Sequence, residues 1–288
     1  MKFAVMGGDM RMVSLSAMLH EAGHEVCTYA LDNAPEGSIR LCGLTAAGSA
    51  QGVDCVILPL PAVRSGGVLN APMSAAAHDA AALIAELPKG TLVCAGSPDK
   101  AMTEAAERVG VRLVDYFARE ELVALNALAS AEGAISVLLR ASPITIWESR
   151  VLIIGAGRIG KMLAKRLRAL GAEVTVSARK PQDMAYIREL GCKAADTRRL
   201  GPELYGFDTV FNTVPAMVLP EEKLKLLKPD VLLIDLASRP GGIDFGAAGA
   251  LGLKTIWALG LPAETAPVTA GKIIMETVFN IIGEQQPS

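Results

Sequence analysis

A chain of 288 residues holds about two domains at ~150 residues each, and a composition of 51% hydrophobic, 20% charged and 4% aromatic residues excludes a disordered chain or a disulfide scaffold. Lysine plus arginine number 28 against 30 acidic residues, a formal charge of -2 with no basic run, so no general electrostatic pull toward nucleic acid exists. The three histidines, His20, His24 and His78, lie in the first third, which excludes a mechanism that needs a late histidine.

Short hydrophobic runs predict strands over 2–6, 25–29, 54–59, 91–95 and 112–115, and after a gap over 150–154, 173–177, 208–213, 231–236 and 254–258. Most are continuously apolar, as in strands buried on both faces of a parallel sheet. Helical stretches separate them, such as 159–170, which stops before Gly171 where a C-cap is expected. Each half opens on a strand that runs into glycines, KFAVMGGDMR from Lys2 and RVLIIGAGRIG from Arg150. The expected architecture is α/β: two Rossmann-like doubly wound parallel-sheet domains with a cleft between them, linked by long helices. Its expected divisions are an N-terminal substrate and catalytic domain over 1–118, a linking helix over 119–142 ended by Ser142-Pro143, and a nucleotide domain over 143–267. A last helix, about 268–288, is expected to pack back on the first domain.

Cys27, Cys42, Cys55, Cys94 and Cys192 form no CxxC pair and read as buried, reduced thiols of a cytosolic protein. The first apolar run breaks at Gly7, unlike a signal peptide, and no stretch approaches the ~18 uninterrupted apolar residues of a membrane helix.

Gly155-Ala156-Gly157-Arg158-Ile159-Gly160 is a GxGxxG motif between a buried strand and a helix, with a second strand at the expected distance. The three glycines permit a tight turn, a close approach to a pyrophosphate and close helix packing; the phosphates then meet free amides at the positive helix end. NAD sites place Asp or Glu at the end of the next strand to bond the ribose. Here that strand ends Ser177-Ala178-Arg179-Lys180, with two cations and a hydroxyl suited to a 2'-phosphate, so NADP is expected ahead of NAD. Arg179 and Lys180 serving only as a charged strand end is the alternative. The N-terminal Gly7-Gly8-Asp9-Met10-Arg11 lacks the third glycine and carries a carboxylate, so it is not expected to hold a second nucleotide. Its Arg11 meets either an anion or its neighbour Asp9.

His20-Glu21-Ala22-Gly23-His24 spells HExxH, but Gly23 ends the helix before the second histidine, so the zinc-protease geometry fails and no metal is expected. Three later strand ends carry candidate chemistry: Asn212-Thr213-Val214-Pro215, Asp235 to Gly242, and Leu259-Gly260-Leu261-Pro262. Ser238 and Arg239 follow a buried strand and suit a carboxylate, unless Arg239 is a clamp on Asp235 or Asp244. Thr269 opens the last helix near Lys272, as an anion site or an ordinary cap. Asn126 and Glu132 are polar positions on the linking helix, Glu132 either meeting substrate or simply solvated, and Arg64 is a further carboxylate candidate. No general base stands out; Asp235 or a water is left to serve.

GGDMR at the start, GxGRxG mid-chain, NTVP, DLASRPGGIDF and GLPAETAPVTAGKII together resemble the A-type subunit of dipicolinate synthase of spore-forming bacteria, in the same order from end to end. The resemblance implies an NAD(P)-binding protein that works with the flavoprotein-like B-type subunit of dipicolinate synthase to oxidise dihydrodipicolinate, a small dicarboxylate, in the cytoplasm of the sporulating mother cell. Two carboxylates need two anchors, and Arg239 and the Thr269 helix start are expected to supply them. A homo-oligomer is left open, and neither a membrane nor a nucleic acid is expected as partner. Alternatives are a non-catalytic protein that binds nucleotide for a partner, a D-2-hydroxyacid dehydrogenase, which needs the late histidine this chain lacks, and a methylenetetrahydrofolate dehydrogenase-like enzyme.

Overall fold

The computed structural model describes residues 1–35 and 45–284; Cys42 and the last four residues of the chain lie outside the described residues. The chain divides into two compact units, one of Met1–Asn126 with the described residues from Ala266 on, the other Ala127–Thr265.

The first unit runs β1 (Lys2–Met6), α1 (Met10–Glu21), β2 (Glu25–Tyr29), α2 (Ala46–Ala50), β3 (Cys55–Ile57), α3 (Ala80–Ala85), β4 (Leu92–Ala95), α4 (Lys100–Val109) and β5 (Arg112–Asp115). Its parallel sheet has the order β2-β1-β3-β4-β5, one of the two common doubly wound orders. Alternate residues of β1 feed two cores: Phe3 and Val5 on one face, Ala4 and Met6 on the other. The long α5 (Glu120–Ala141) follows, and the division between units falls inside it.

The second unit contains β6 (Arg150–Ile154), α6 (Arg158–Ala169), β7 (Glu173–Ala178), α7 (Pro181–Glu189), β8 (Lys193–Asp196), β9 (Thr209–Asn212), α8 (Glu221–Leu224), β10 (Leu232–Asp235), α9 (Phe245–Ala250), β11 (Lys254–Trp257) and α10 (Leu261–Thr265). Its sheet order is β11-β10-β9-β6-β7-β8, all parallel. Read from β8, that is the 3-2-1-4-5-6 order of dinucleotide-binding sheets, with the direction of winding reversing between β6 and β9. Val151 and Ile153 pack on one face, Leu152 and Ile154 on the other, so the run is apolar throughout.

Helix α11 (Pro267–Gly283) belongs to the first unit and buries Ile273, Ile274, Val278 and Ile281 there. A Cβ on Gly271 would stand 2.5 Å from the Arg11 carbonyl oxygen, so only glycine lets α11 cross α1 this closely. Helix α5 has the length and hydropathy of a membrane span, but 56% of that window is buried in the protein. Leu122 sits in the core of the first unit, and Ala131, Ala134 and Leu138 in that of the second.

Candidate functional site

The reversal between β6 and β9 opens a cavity of about 470 Å³, walled by Gly155 to Gly157, by Ser177 to Lys180, and by Thr213 to Val218. Gly155 has φ +106°, and a Cβ on it would press on Thr213 Oγ1 at 2.3 Å. A Cβ on Gly160 would lie 2.1 Å from the Gly155 carbonyl oxygen, so two glycines are required by the protein itself. Gly157 differs: a Cβ there meets nothing within 4 Å. It caps α6 without a side-chain acceptor, and the exposed Arg158, half-buried Ile159 and buried Gly160 form the first turn. An uncapped helix start behind an open glycine is the cradle a pyrophosphate would fill.

At the end of β7, Arg179 and Lys180 are exposed and make no ion pair among the described residues. Ser177 is buried on the cavity floor and accepts a hydrogen bond from Thr197 Oγ1 at 3.0 Å. Thr197 lines the cavity from the end of β8, a strand that the sequence pattern did not predict. Asp183, in the first turn of α7, also lines it and stands 4.0 Å from Lys161.

The ends of β9 and β10 are locked together. Asp235 is fully buried; its Oδ1 accepts from Asn212 Nδ2 at 2.8 Å and Ala237 N at 2.9 Å, its Oδ2 from Gly242 N at 2.8 Å. That surrounding corrects the assignment of Asp235 as a base: every bond it makes is to a structural donor, and no face is open to substrate. Asn212 needs the same correction. It is fully buried, and besides Asp235 it bonds the Val214 carbonyl at 2.9 Å and the Val214 N–H at 3.0 Å, so it shapes the loop rather than lining the cavity. The Gly242 carbonyl accepts from Val218 and Leu219 N–H at 2.9 and 3.0 Å, closing the lock. Thr213 donates to the Ile154 carbonyl at 3.0 Å and, with Pro215, does line the cavity.

Beyond this lock, Ser238 and Arg239 are exposed. Arg239 pairs with neither Asp235 nor Asp244 among the described residues; Asp235 is engaged in the lock, and Asp244 caps α9 by accepting from Ala247 N at 2.9 Å. The Arg239 guanidinium lies instead over the Trp257 ring, 5.1 Å from its centroid. Glu132, left open between substrate and solvent, is paired with Arg166 at 3.2 Å.

In the first unit the glycines after β1 are covered. Gly8 N–H donates to the Asn70 carbonyl at 2.8 Å, and Leu69 packs where a Cβ of Gly7 would stand, at 2.9 Å. Residues 69–71 thus fill the place over Gly7 where a nucleotide would bind. Arg11 is buried, pairs with Asp9 at 2.8 Å and donates to the Leu60 carbonyl, which decides between its two readings in favour of the neighbour. Burial opposes the Asp9 carboxylate, but the Arg11 hydrogen bonds and charge outweigh it and hold its pKa below the ordinary value. A hydrogen-bonded series that the sequence did not suggest joins Tyr29 to His78 Nδ1 (3.3 Å), His78 Nε2 to Ser74 (2.9 Å) and Ser74 to Asp32 (2.9 Å). Arg64 is exposed and donates from Nε to Asn70 Oδ1 at 2.9 Å. Thr269 is exposed in the first turn of α11, which has no side-chain cap, while Lys272 faces Glu276 at 3.7 Å. Asn126, the last residue of the unit before the division, lies on α5. His20 lies in the last turn of α1, which ends at Glu21, and His24 follows Gly23 at φ +82°, so the two histidines share no helix; no metal cluster occurs among the described residues.

Comparison with known proteins bears on the whole chain. The dipicolinate synthase A-type subunit of Bacillus subtilis (strain 168) is 31% identical over 99% of this chain and 97% of its own length. The chain belongs to the family of dipicolinate synthase A-type subunits. The family model for the N-terminal domain of that family matches residues 2–117, and "D-isomer specific 2-hydroxyacid dehydrogenase, NAD binding domain" matches 130–247. The crystal structure of the family member from Bacillus halodurans superposes with a TM-score of 0.86 at 26% identity, covering 99% of this chain and 98% of that one. That of the Bacillus subtilis protein gives 0.85 at 30%, covering 99% and 96%. The GxGxxG cavity of this dipicolinate synthase relative therefore sits in a domain of the kind that takes a nicotinamide dinucleotide.

Proposed function

We propose that the chain is the NADP-binding component of a dihydrodipicolinate-oxidising enzyme, removing a hydride and a proton from a cyclic dicarboxylate to leave aromatic dipicolinate. The observation that carries this reading is the lock between β9 and β10. It fastens the loop bearing Arg239, which has no ion pair among the described residues, to the loop 213–218 that walls the nucleotide cavity. A carboxylate anchor fixed relative to a nucleotide cavity is what a dehydrogenase of a carboxylate needs, because hydride transfer depends on alignment of the two reactants.

When bound, the nicotinamide supplies the hydride acceptor. Gly157 and the first turn of α6 (Arg158, Ile159, Gly160) would receive the pyrophosphate on backbone amides, while Gly155, whose own N–H donates to the Ser177 carbonyl at 3.0 Å, shapes the turn beneath them. Arg179 and Lys180 would receive the 2'-phosphate, with Ser177 and Thr197 forming the cavity floor beneath them; a forked guanidinium matches a phosphate better than a ribose hydroxyl does. Thr213 and Pro215 wall the cavity. Arg239 and Ser238 hold one substrate carboxylate. In the first unit, Thr269 and the exposed Arg64 are the groups that would meet an anion, with Lys272 and Asn126 as lesser candidates; Glu132, in the second unit, is a lesser candidate for a substrate contact of another kind. By domain, the nucleotide is assigned to 143–267 and the substrate and catalytic role to 1–118 with the helix from 268, the stretch 119–142 serving as linking helix.

The family relation supports the flavoprotein-like B-type subunit of the synthase as partner and a role in sporulation, in the mother-cell cytoplasm. The sealing of Asp235 favours a second reading, in which the chain binds nucleotide and substrate while the partner's flavin carries the redox step. Calorimetric titration tests the binding claim common to both: NADP binds more tightly than NAD, and dipicolinate binds the NADP-loaded chain. Absence of heat with either nucleotide overturns it.

A further inference from the structure

Arg239 is exposed and follows a buried strand on a Ser-Arg-Pro-Gly-Gly bend, so a long, solvated side chain would ordinarily sample many rotamers and lose affinity on being immobilised. Its surroundings oppose that freedom. The guanidinium lies over the Trp257 ring at 5.1 Å, a distance at which the ring quadrupole attracts a cation. The indole is itself fixed at two points. Its Nε1–H donates to the Ala237 carbonyl at 2.9 Å, two residues before Arg239, and its ring stacks on Phe245 at 5.0 Å and 22°. A Cβ on Gly241 would stand 3.2 Å from Trp257 Cζ2, so the glycine bend folds around the indole edge. Trp257 is half-buried and also borders a cavity of about 490 Å³ running along β11 to the last turn of α5.

We propose that Trp257 is the positioning residue for the Arg239 anchor: it holds the guanidinium over the indole, oriented to receive a carboxylate. The proposal rests on the reading of Arg239 as a substrate anchor. It goes beyond that reading by assigning the anchor's preorganisation to one side chain on a different strand. It also makes Trp257 emission an internal reporter of ligand arrival, since a carboxylate drawn to Arg239 alters the charge above the ring.

The chain has two tryptophans, and Trp147 is exposed far along the sequence, so Trp147→Phe leaves Trp257 as the sole indole. In that variant, dipicolinate is titrated into the NADP-loaded protein and the indole emission is followed beside calorimetry. A saturable emission change with the calorimetric midpoint is expected; binding heat with unchanged emission overturns the proposal. Trp257→Leu is expected to weaken dipicolinate about three- to tenfold with NADP affinity unchanged, and Trp257→Phe, which keeps a π face, to recover most of that loss. Equal affinity of Leu and Phe variants overturns it. Arg239→Gln separates the two levels: if it leaves dipicolinate affinity unchanged, the anchor reading itself falls. If it weakens binding while Trp257→Leu does not, only the positioning role falls.

Discussion

Replacing Asp235 by asparagine separates a structural carboxylate from a catalytic one. The side chain is fully buried and accepts three hydrogen bonds, two at Oδ1 and one at Oδ2. Asparagine must put an NH2 where one oxygen stood. The less costly choice places it at Oδ2, because Oδ1 serves both Asn212 and Ala237. The new amide then faces the Gly242 N–H, donor against donor and out of reach of water. Losing one charge-assisted bond and stranding two buried donors costs about 3 kcal/mol. At roughly 3–5 °C per kcal/mol for a unit of this size, the melting temperature should fall about 10–15 °C. Differential scanning calorimetry, with urea denaturation as a check on the slope, reads this directly. Nucleotide affinity should weaken too, because the same bonds hold the wall of the cavity. An Asp235→Asn protein that melts within about 2 °C of the parent yet has lost turnover would refute the reasoning.

Arg179→Asp should weaken NADP by about tenfold or more while changing NAD little, as loss of a charge-assisted phosphate contact costs at least ~1.4 kcal/mol; equal loss for both would sink the 2'-phosphate assignment. Gly157→Ala should leave thermal stability near the parent value, since its Cβ meets nothing within 4 Å, but weaken either nucleotide strongly in fluorescence titration. Gly160→Ala should unfold first, with its Cβ 2.1 Å from a backbone oxygen. Burial raises the pKa of Asp208, but the Lys228 hydrogen bond and charge and the Arg150 N–H outweigh it and hold it below the ordinary value of 3.8. A depressed carboxylate contributes stability that is present above its unfolded value and lost as pH falls through the folded one. Lys228→Met should therefore cost stability at neutral pH and flatten the acid limb below about 3.8; an unchanged limb would remove Asp208 from the explanation.

Much of the fold was legible because its strands are buried on both faces. VLII and FAVM can be read as central strands from composition alone, and the glycines of GAGRIG announce the turn. Strand β8 was not legible. KAAD carries two alanines between charges at the sheet edge, with neither alternation nor an apolar run, and Thr197 went unnoticed with it. The loop after β10 was visible as SRPGG, but the partner of Arg239 was not, since Trp257 reaches it only through the β10–β11 register. The same limit misplaced Asp235 and Asn212. A polar residue at a strand end looks alike whether it faces a ligand or a neighbouring loop, and only the pairing of Asp235 with Asn212 across β9 and β10 reveals the second case.

The central claim is an oxidation linked to NADP. Its most direct test mixes purified chain, NADP and dihydrodipicolinate, first alone and then with the proposed flavoprotein-like partner, and measures reduced nicotinamide and dipicolinate together. The account predicts that the two appear one for one, and that Arg239→Gln and Arg179→Asp each slow both. Dipicolinate formed without any reduced nicotinamide, with or without the partner, would contradict it.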